Sequence, residues 1–152
     1  MPPSLKEKAP RKRFENVSAA SSKRMSRIRS KGNRTTEVRL RMALVRSGLS
    51  GWTMHETQLP GCPDFVFQRQ RIVVFVDGCF WHGCNKCRTI PRANFALWNE
   101  KIVRNRPRDQ AVSKALRRSG FIVLRFWEHE LKHSLDNCIA KIAMRLSSTS
   151  PR

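Results

Sequence analysis

Acidic residues are scarce in this chain, with 11 aspartates and glutamates against 31 lysines and arginines, a formal net charge of +20 and an isoelectric point near 11.4. An imbalance of that size points to a polyanionic partner, although a basic solubility tail, ribosome association or a membrane surface would also use it. Long apolar runs are missing as well. None approaches the roughly 20 residues of a spanning helix, and the N-terminal MPPSLKEKAPRKRF has no apolar core of the signal-peptide kind. A soluble intracellular protein is expected. There is no internal repeat, and with no heptad or evident dimer face a monomer is the default. Five cysteines in a reducing compartment are expected to be metal ligands or packed thiols in place of disulfides.

What is present is enough for one folded body. The chain has 152 residues, 39% of them hydrophobic, and four tryptophans, which suits a single domain with a real core. Residues 1–32 are rich in Lys, Arg, Ser and Pro and poor in large apolar side chains. They read as a basic arm that orders only on a partner, or as a solvated tail. The domain proper is placed at 33–147, with a short tail at 148–152.

TTEVRLRMALVRS, residues 35–47, has a threonine start, Glu37 in its first turn and Gly48 as a stop, and its spacing predicts an amphipathic helix with Val38, Met42 and Val45 on the buried face. PDFVF and RIVVFVDG, separated by polar residues, read as two antiparallel strands, the second apolar enough to be central. Two further helices are expected at 94–105 and 108–119, then the strand FIVLRFWE, then the amphipathic helix SLDNCIAKIAMRL. This order predicts an α/β fold, a mixed sheet with helices on its faces and its site at strand ends.

The densest chemistry lies in VDGCFWHGCNKC, residues 76–87. Cys79, Cys84 and Cys87 are spaced C-x4-C-x2-C, and the last pair has the knuckle spacing that offers two thiolates to one tetrahedral ion. Zinc would need a fourth ligand from His82, His129 or His133. His129 is attractive because it follows the strand expected to lie beside the one delivering Cys79. Buried or redox-active thiols are the alternative. A zinc with four protein ligands has no open position, so such a site is structural. Cys62 and Cys138 are read as packing thiols. Asp64 enters the first strand of the hairpin and Asp77 ends its neighbour, which brings the two towards one sheet edge, where paired carboxylates would suit Mg²⁺. Ordinary strand-end acids are the alternative.

GCPDFVF, VDGCFWHGCNKC, LWNEKIVRNRPRD and VLRFWEHEL, in this order and spacing, resemble the very short patch repair endonucleases, the Vsr mismatch nucleases, over residues 23–131. The resemblance implies a restriction-endonuclease-like core that nicks double-stranded DNA beside a T:G mismatch left by deamination of 5-methylcytosine, in the bacterial cytoplasm at the nucleoid. It implies Asp64 as the metal-binding aspartate, Glu37 as the helix glutamate that holds metal-bound water, His82 as the acid or base and Asp109 as the carboxylate that orients it. Catalytic Mg²⁺ would be held by Asp64, by the carbonyl of Val76 and by Asp77.

Cys79, Cys84, Cys87 and His129 fall on the family's zinc positions, with histidine and cysteine exchanged at Cys84 and His129 relative to its best-known pattern. Phe80, Trp81 and Trp98 become an intercalating group that unstacks a weakened T:G step, where composition alone would make them core residues. Lys101 and Asn105 would contact DNA near the mismatch, and Met25 would pack beside it. Arg24, Arg27, Arg29, Lys31 and Arg34 would neutralise phosphates. One departure stands out: Asp77 occupies a position where well-described members carry a second histidine, and Val76 replaces a threonine, which would bring an extra carboxylate to the metal. The rival readings are a Vsr-like nuclease of other specificity and a zinc-supported DNA-binding module without catalysis.

Overall fold

The computed structural model describes residues 36–87, 90 and 92–149. Met25 and the basic arm lie outside them. The described chain runs α1 (Glu37–Arg46), β1 (Trp52–Met54), β2 (Phe65–Phe67), β3 (Ile72–Asp77), α2 (Phe95–Arg118), β4 (Ile122–Trp127), α3 (Glu128–His133) and α4 (Leu135–Ser148). The four strands form one sheet in chain order. β1, β2 and β3 pair antiparallel, and β4 joins β3 in parallel, because α2 carries the chain back across the sheet as a crossover must. The expected mixed α/β sheet is present.

Strand alternation sorts the core into two layers. Phe65, Phe67, Ile72 and Val74 pack on one face with Leu40 and Leu44 of α1 and Cys138 and Ile142 of α4. Val66, Val73 and Phe75 face the other way, onto Leu116 of α2 and Phe121. β2 and β3 are therefore buried on both sides, which is why their sequences are continuous apolar runs and not alternating ones.

Three local expectations are corrected. The buried side of α1 is Leu40, Ala43 and Leu44, while Met42 and Val45 are 51% and 59% exposed. Two apolar stripes one residue apart both satisfy the helical period, and the one carrying the two leucines fills the core. The helices expected at 94–105 and 108–119 are one, α2, with Pro107 inside it. A proline in a helix interior costs about 3 kcal/mol, yet Ile102 and Leu116 on either side of it are fully buried, and their packing holds both halves in line. β1 was not expected, being a three-residue edge strand tied down by Trp52, whose Nε1–H donates to the Leu49 carbonyl at 3.0 Å and whose ring meets Phe65 edge-on at 5.4 Å.

Candidate active site and thiol centre

The β2–β3 ladder ends at Phe65↔Val74, so the next outward-facing N–H of β3, that of Val76, has no strand partner on that side. The carboxylate of Asp64 takes it, with Oδ2 accepting at 2.7 Å. This pins Asp64 at the mouth of a cavity of about 340 Å³ whose lining includes Glu37, His55, Asp64, Asp77, His82, Asp109 and Arg125. Burial pushes the Asp64 carboxyl up to about 7 against the lowering effect of the Val76 hydrogen bond, and the neighbouring charges of Glu37 and Asp77 add to the rise. A carboxylate this reluctant to ionise is one that gains from a cation.

Glu37 arrives from the first turn of α1 and is 4% exposed. Its Oε2 lies 3.1 Å from Nε2 of His55, and Nδ1 of His55 lies 4.0 Å from Oδ1 of Asp64. Glu37, His55 and Asp64 present ligand atoms all within 4.8 Å of one another.

In the same cavity, Nδ1 of His82 is 2.6 Å from Oδ2 of Asp109. His82 comes from the tight turn after β3, where its N–H donates to the Gly78 carbonyl, and Asp109 comes from α2. The carboxylate expected beside His82, Asp109, is there, and Asp77 also comes within 3.8 Å of the same Nδ1, but both oxygens of Asp77 are turned to an arginine. Its Oδ2 and Oδ1 accept from Nε and Nη2 of Arg125 at 2.8 and 2.9 Å, a forked pairing that engages both oxygens. Nη2 of Arg125 also lies 3.2 Å from Oδ1 of Asp109, and Nη1 donates to Ser113 Oγ at 3.1 Å. Burial works against the charge of Arg125, but its hydrogen bonds to Asp77 and the fields of Asp77 and Asp109 raise it above the ordinary arginine value.

Beyond His82 the chain turns into the thiol centre. Cys79, Cys84, Cys87 and His129 bring one ligand atom each to within 4.8 Å of the others, and Nδ1 of His129 stands 3.3 and 3.5 Å from the sulfurs of Cys79 and Cys84. Ligands of a tetrahedral zinc lie about 3.5–4 Å apart at ordinary bond lengths, so this donor set fits the ion. His82 is engaged by Asp109, and His133 is exposed. Burial pushes the Cys79 thiol up to about 11, with the other two thiols adding to the rise. For Cys84 burial acts in the same direction, but hydrogen bonds from the backbone N–H groups of Cys87 and Lys86 outweigh it and hold the thiol below its ordinary value. Three clustered sulfurs cannot all ionise without a cation, which is the chemistry of a metal centre. Cys138 is a core residue, 2% exposed, while Cys62 is half-buried.

Gly83 lets this loop sit on α2. A Cβ there would lie 2.7 Å from Cγ2 of Ile102, and its φ is +66°, so only glycine serves. Phe80, Trp81 and Trp98 form one half-buried cluster, with ring centroids 5.2, 5.4 and 5.8 Å apart. Lys101 Nζ sits 5.7 Å over the Trp98 ring, and Asn105 Nδ2 donates to the Trp81 carbonyl at 2.7 Å.

Two residues of this site escaped the sequence reading. His55 follows β1, whose pairing runs Met54↔Phe65, so the next pair outward is His55 with Asp64. Recognising β1 would have found it. Arg125 sits in an apolar strand opposite Phe75, and a lone cation in such a strand was the available signal.

Comparisons with known proteins place the chain among DNA endonucleases. The family described as DNA mismatch endonuclease Vsr matches residues 16–88. A type II nicking enzyme of Xanthomonas oryzae, V.XorIIP, is 41% identical over 109 residues, 70% of this chain and 78% of its own. A second, V.NmeAIP of Neisseria meningitidis, is 39% identical over 72% of this chain and 77% of its own. The DNA mismatch endonuclease Vsr of Escherichia coli is 36% identical over 72% of this chain and 71% of its own. Sheet, cavity and relatives together define an endonuclease that acts on DNA. Within that class the chain belongs to the Vsr family.

Proposed function

We propose that this protein nicks one strand of duplex DNA beside a T:G mismatch, by hydrolysis that depends on Mg²⁺. The observation that carries the reading is the His82–Asp109 pair at 2.6 Å lining the same cavity as Asp64 and Glu37. Asp64, Glu37 and the Val76 carbonyl are the residues that would hold the metal. When bound, the ion supplies positive charge to the scissile phosphate and makes a coordinated water more acidic. Asp109 accepts the Nδ1 proton of His82 and so fixes the tautomer, leaving Nε2 to exchange a proton with the reacting oxygens. Asp77 acts through Arg125 in this reading, with no place in the metal shell.

Phe80, Trp81 and Trp98 enter the base step at the mismatch, at a cost of a few kcal/mol that is smaller where pairing is already weak. Lys101 and Asn105 flank them. The arm at 1–32, with Met25 and its arginines, lies along the phosphates, and Cys79, Cys84, Cys87 and His129 hold a structural zinc that keeps the wedge loop rigid. The body at 33–147 has a restriction-endonuclease-like core and works as a monomer.

The test is nicking of end-labelled duplexes carrying a central T:G, U:G or matched pair in several sequence contexts, with Mg²⁺ or a chelator and with Asp64→Asn alongside. Cleavage of the thymine strand at T:G by the wild type alone supports the reading. A second reading, nicking with a different mismatch or sequence preference, is favoured by relatives named as type II nicking enzymes, and cleavage confined to another duplex would establish it. Binding to every duplex without cleavage, unchanged in Asp64→Asn, would sink both.

A further inference from the structure

His55 belongs to none of the roles above, yet it occupies the centre of the acidic side of the cavity. Its imidazole lies between the two carboxylates there, 3.1 Å from Glu37 and 4.0 Å from Asp64. The three side chains converge to within 4.8 Å. It is held there at some cost: its backbone is in the left-handed region, φ 52°, which a residue with a Cβ visits rarely and mostly where the surroundings impose it. Its own N–H donates to the Asp64 carbonyl at 3.2 Å, so the main chain that positions the aspartate also positions the histidine. The side chain is 19% exposed and the Glu37 side chain 6%. An imidazole in that position, lining the cavity beside two carboxylates, has the chemistry of a ligand.

We infer that His55 is a fourth protein ligand of the active-site metal, beside Asp64, Glu37 and the Val76 carbonyl, so that this chain's site is a mixed nitrogen and oxygen one that binds Mn²⁺ in preference to Mg²⁺. This rests on the proposal that Glu37 and Asp64 hold the ion. Mg²⁺ is a hard cation that takes oxygen almost exclusively and dehydrates reluctantly. Replacing one of its waters with an imidazole brings it little. Mn²⁺ accepts the same carboxylates, and first-row ions gain from imidazole in a way that Mg²⁺ does not. The competing account keeps His55 as a protonated counter-ion of Glu37, in which case an incoming metal must displace it and its removal should strengthen metal binding.

The two accounts predict opposite outcomes for metal binding measured without DNA. We would take the zinc-loaded full chain and its His55→Asn variant, chosen because asparagine tolerates a left-handed backbone, with His55→Gly as a second variant that offers no donor at all. Free Mn²⁺ would be titrated by electron paramagnetic resonance, and Mg²⁺ by competition. The expected result is a loss of at least about tenfold in Mn²⁺ affinity in both variants, with Mg²⁺ affinity little changed. The nitrogen coupling in the pulsed spectrum of bound Mn²⁺ should be present in the wild type and absent from both. Equal Mn²⁺ affinity in all three proteins, tighter binding in the variants, or no nitrogen coupling in the wild type would each overturn the inference. Because no cleavage is scored, nicking that fails while this contrast holds counts against the proposed function alone, and nicking that succeeds without the contrast counts against His55 alone.

Discussion

At the scale of single residues, the site is a set of charges that burial alone would forbid, made tolerable by their neighbours. Arg125 is the plainest case, since Asp77 and Asp109 both face it. Arg125→Met leaves two partly buried carboxylates without their cation and should lower stability by about 3–5 kcal/mol, read from the urea midpoint. A loss below about 1 kcal/mol would mean that the pair is solvated in practice. Asp64 makes the opposite kind of statement. Its carboxyl titrates near 7 when folded, against 3.8 as the ordinary value. The folded state therefore holds its proton across an interval in which the unfolded state has lost it. Without divalent metal, the contribution of Asp64 to stability should be full below about pH 4 and be lost as pH rises towards 7, by an amount on the order of 2–4 kcal/mol. Asp64→Asn should flatten that slope, and a slope unchanged by the substitution would assign the effect elsewhere.

Among the elements, α2 carries the most work per residue. It crosses back over the sheet, presents Asp109 to His82 and seats Gly83 through Ile102, all with a proline in its middle. Pro107→Ala should restore a backbone donor without touching the site and raise stability by about 1–3 kcal/mol, visible as a higher denaturant midpoint. No gain would show that the helix bends there for a purpose of its own. Pro107 also shows where sequence reading stops. A proline is a sound reason to divide a helix, and only the long-range burial of Ile102 and Leu116 overrules it. The strands β2, β3 and β4 were legible because runs of β-branched and aromatic residues bounded by turn residues mark strands. β1 was not, because Trp52–Met54 has no such run. The cysteine cluster was visible from spacing, and His129 from the adjacency of β3 and β4. His55 depended on the unseen β1, and the pairing of Asp77 with Arg125 on a register that spacing does not encode.

For the molecule as a whole, the excess of positive charge should dominate contact with DNA. If the chain neutralises six or more phosphates, affinity for a matched duplex should fall by about a thousandfold between 50 and 200 mM salt, measured by fluorescence anisotropy. A shallow dependence would leave the basic residues with no share in binding. The thiol centre has a different kind of consequence. Cys79, Cys84 and Cys87 belong to the loop after β3, but His129 follows β4, on the far side of the whole crossover helix. A chain made from its N-terminus therefore acquires three thiols before the histidine that completes their set. An ion held by all four donors would consequently be captured late in the making of each molecule, and until then the loop would be open to oxidation and to exchange with other metals.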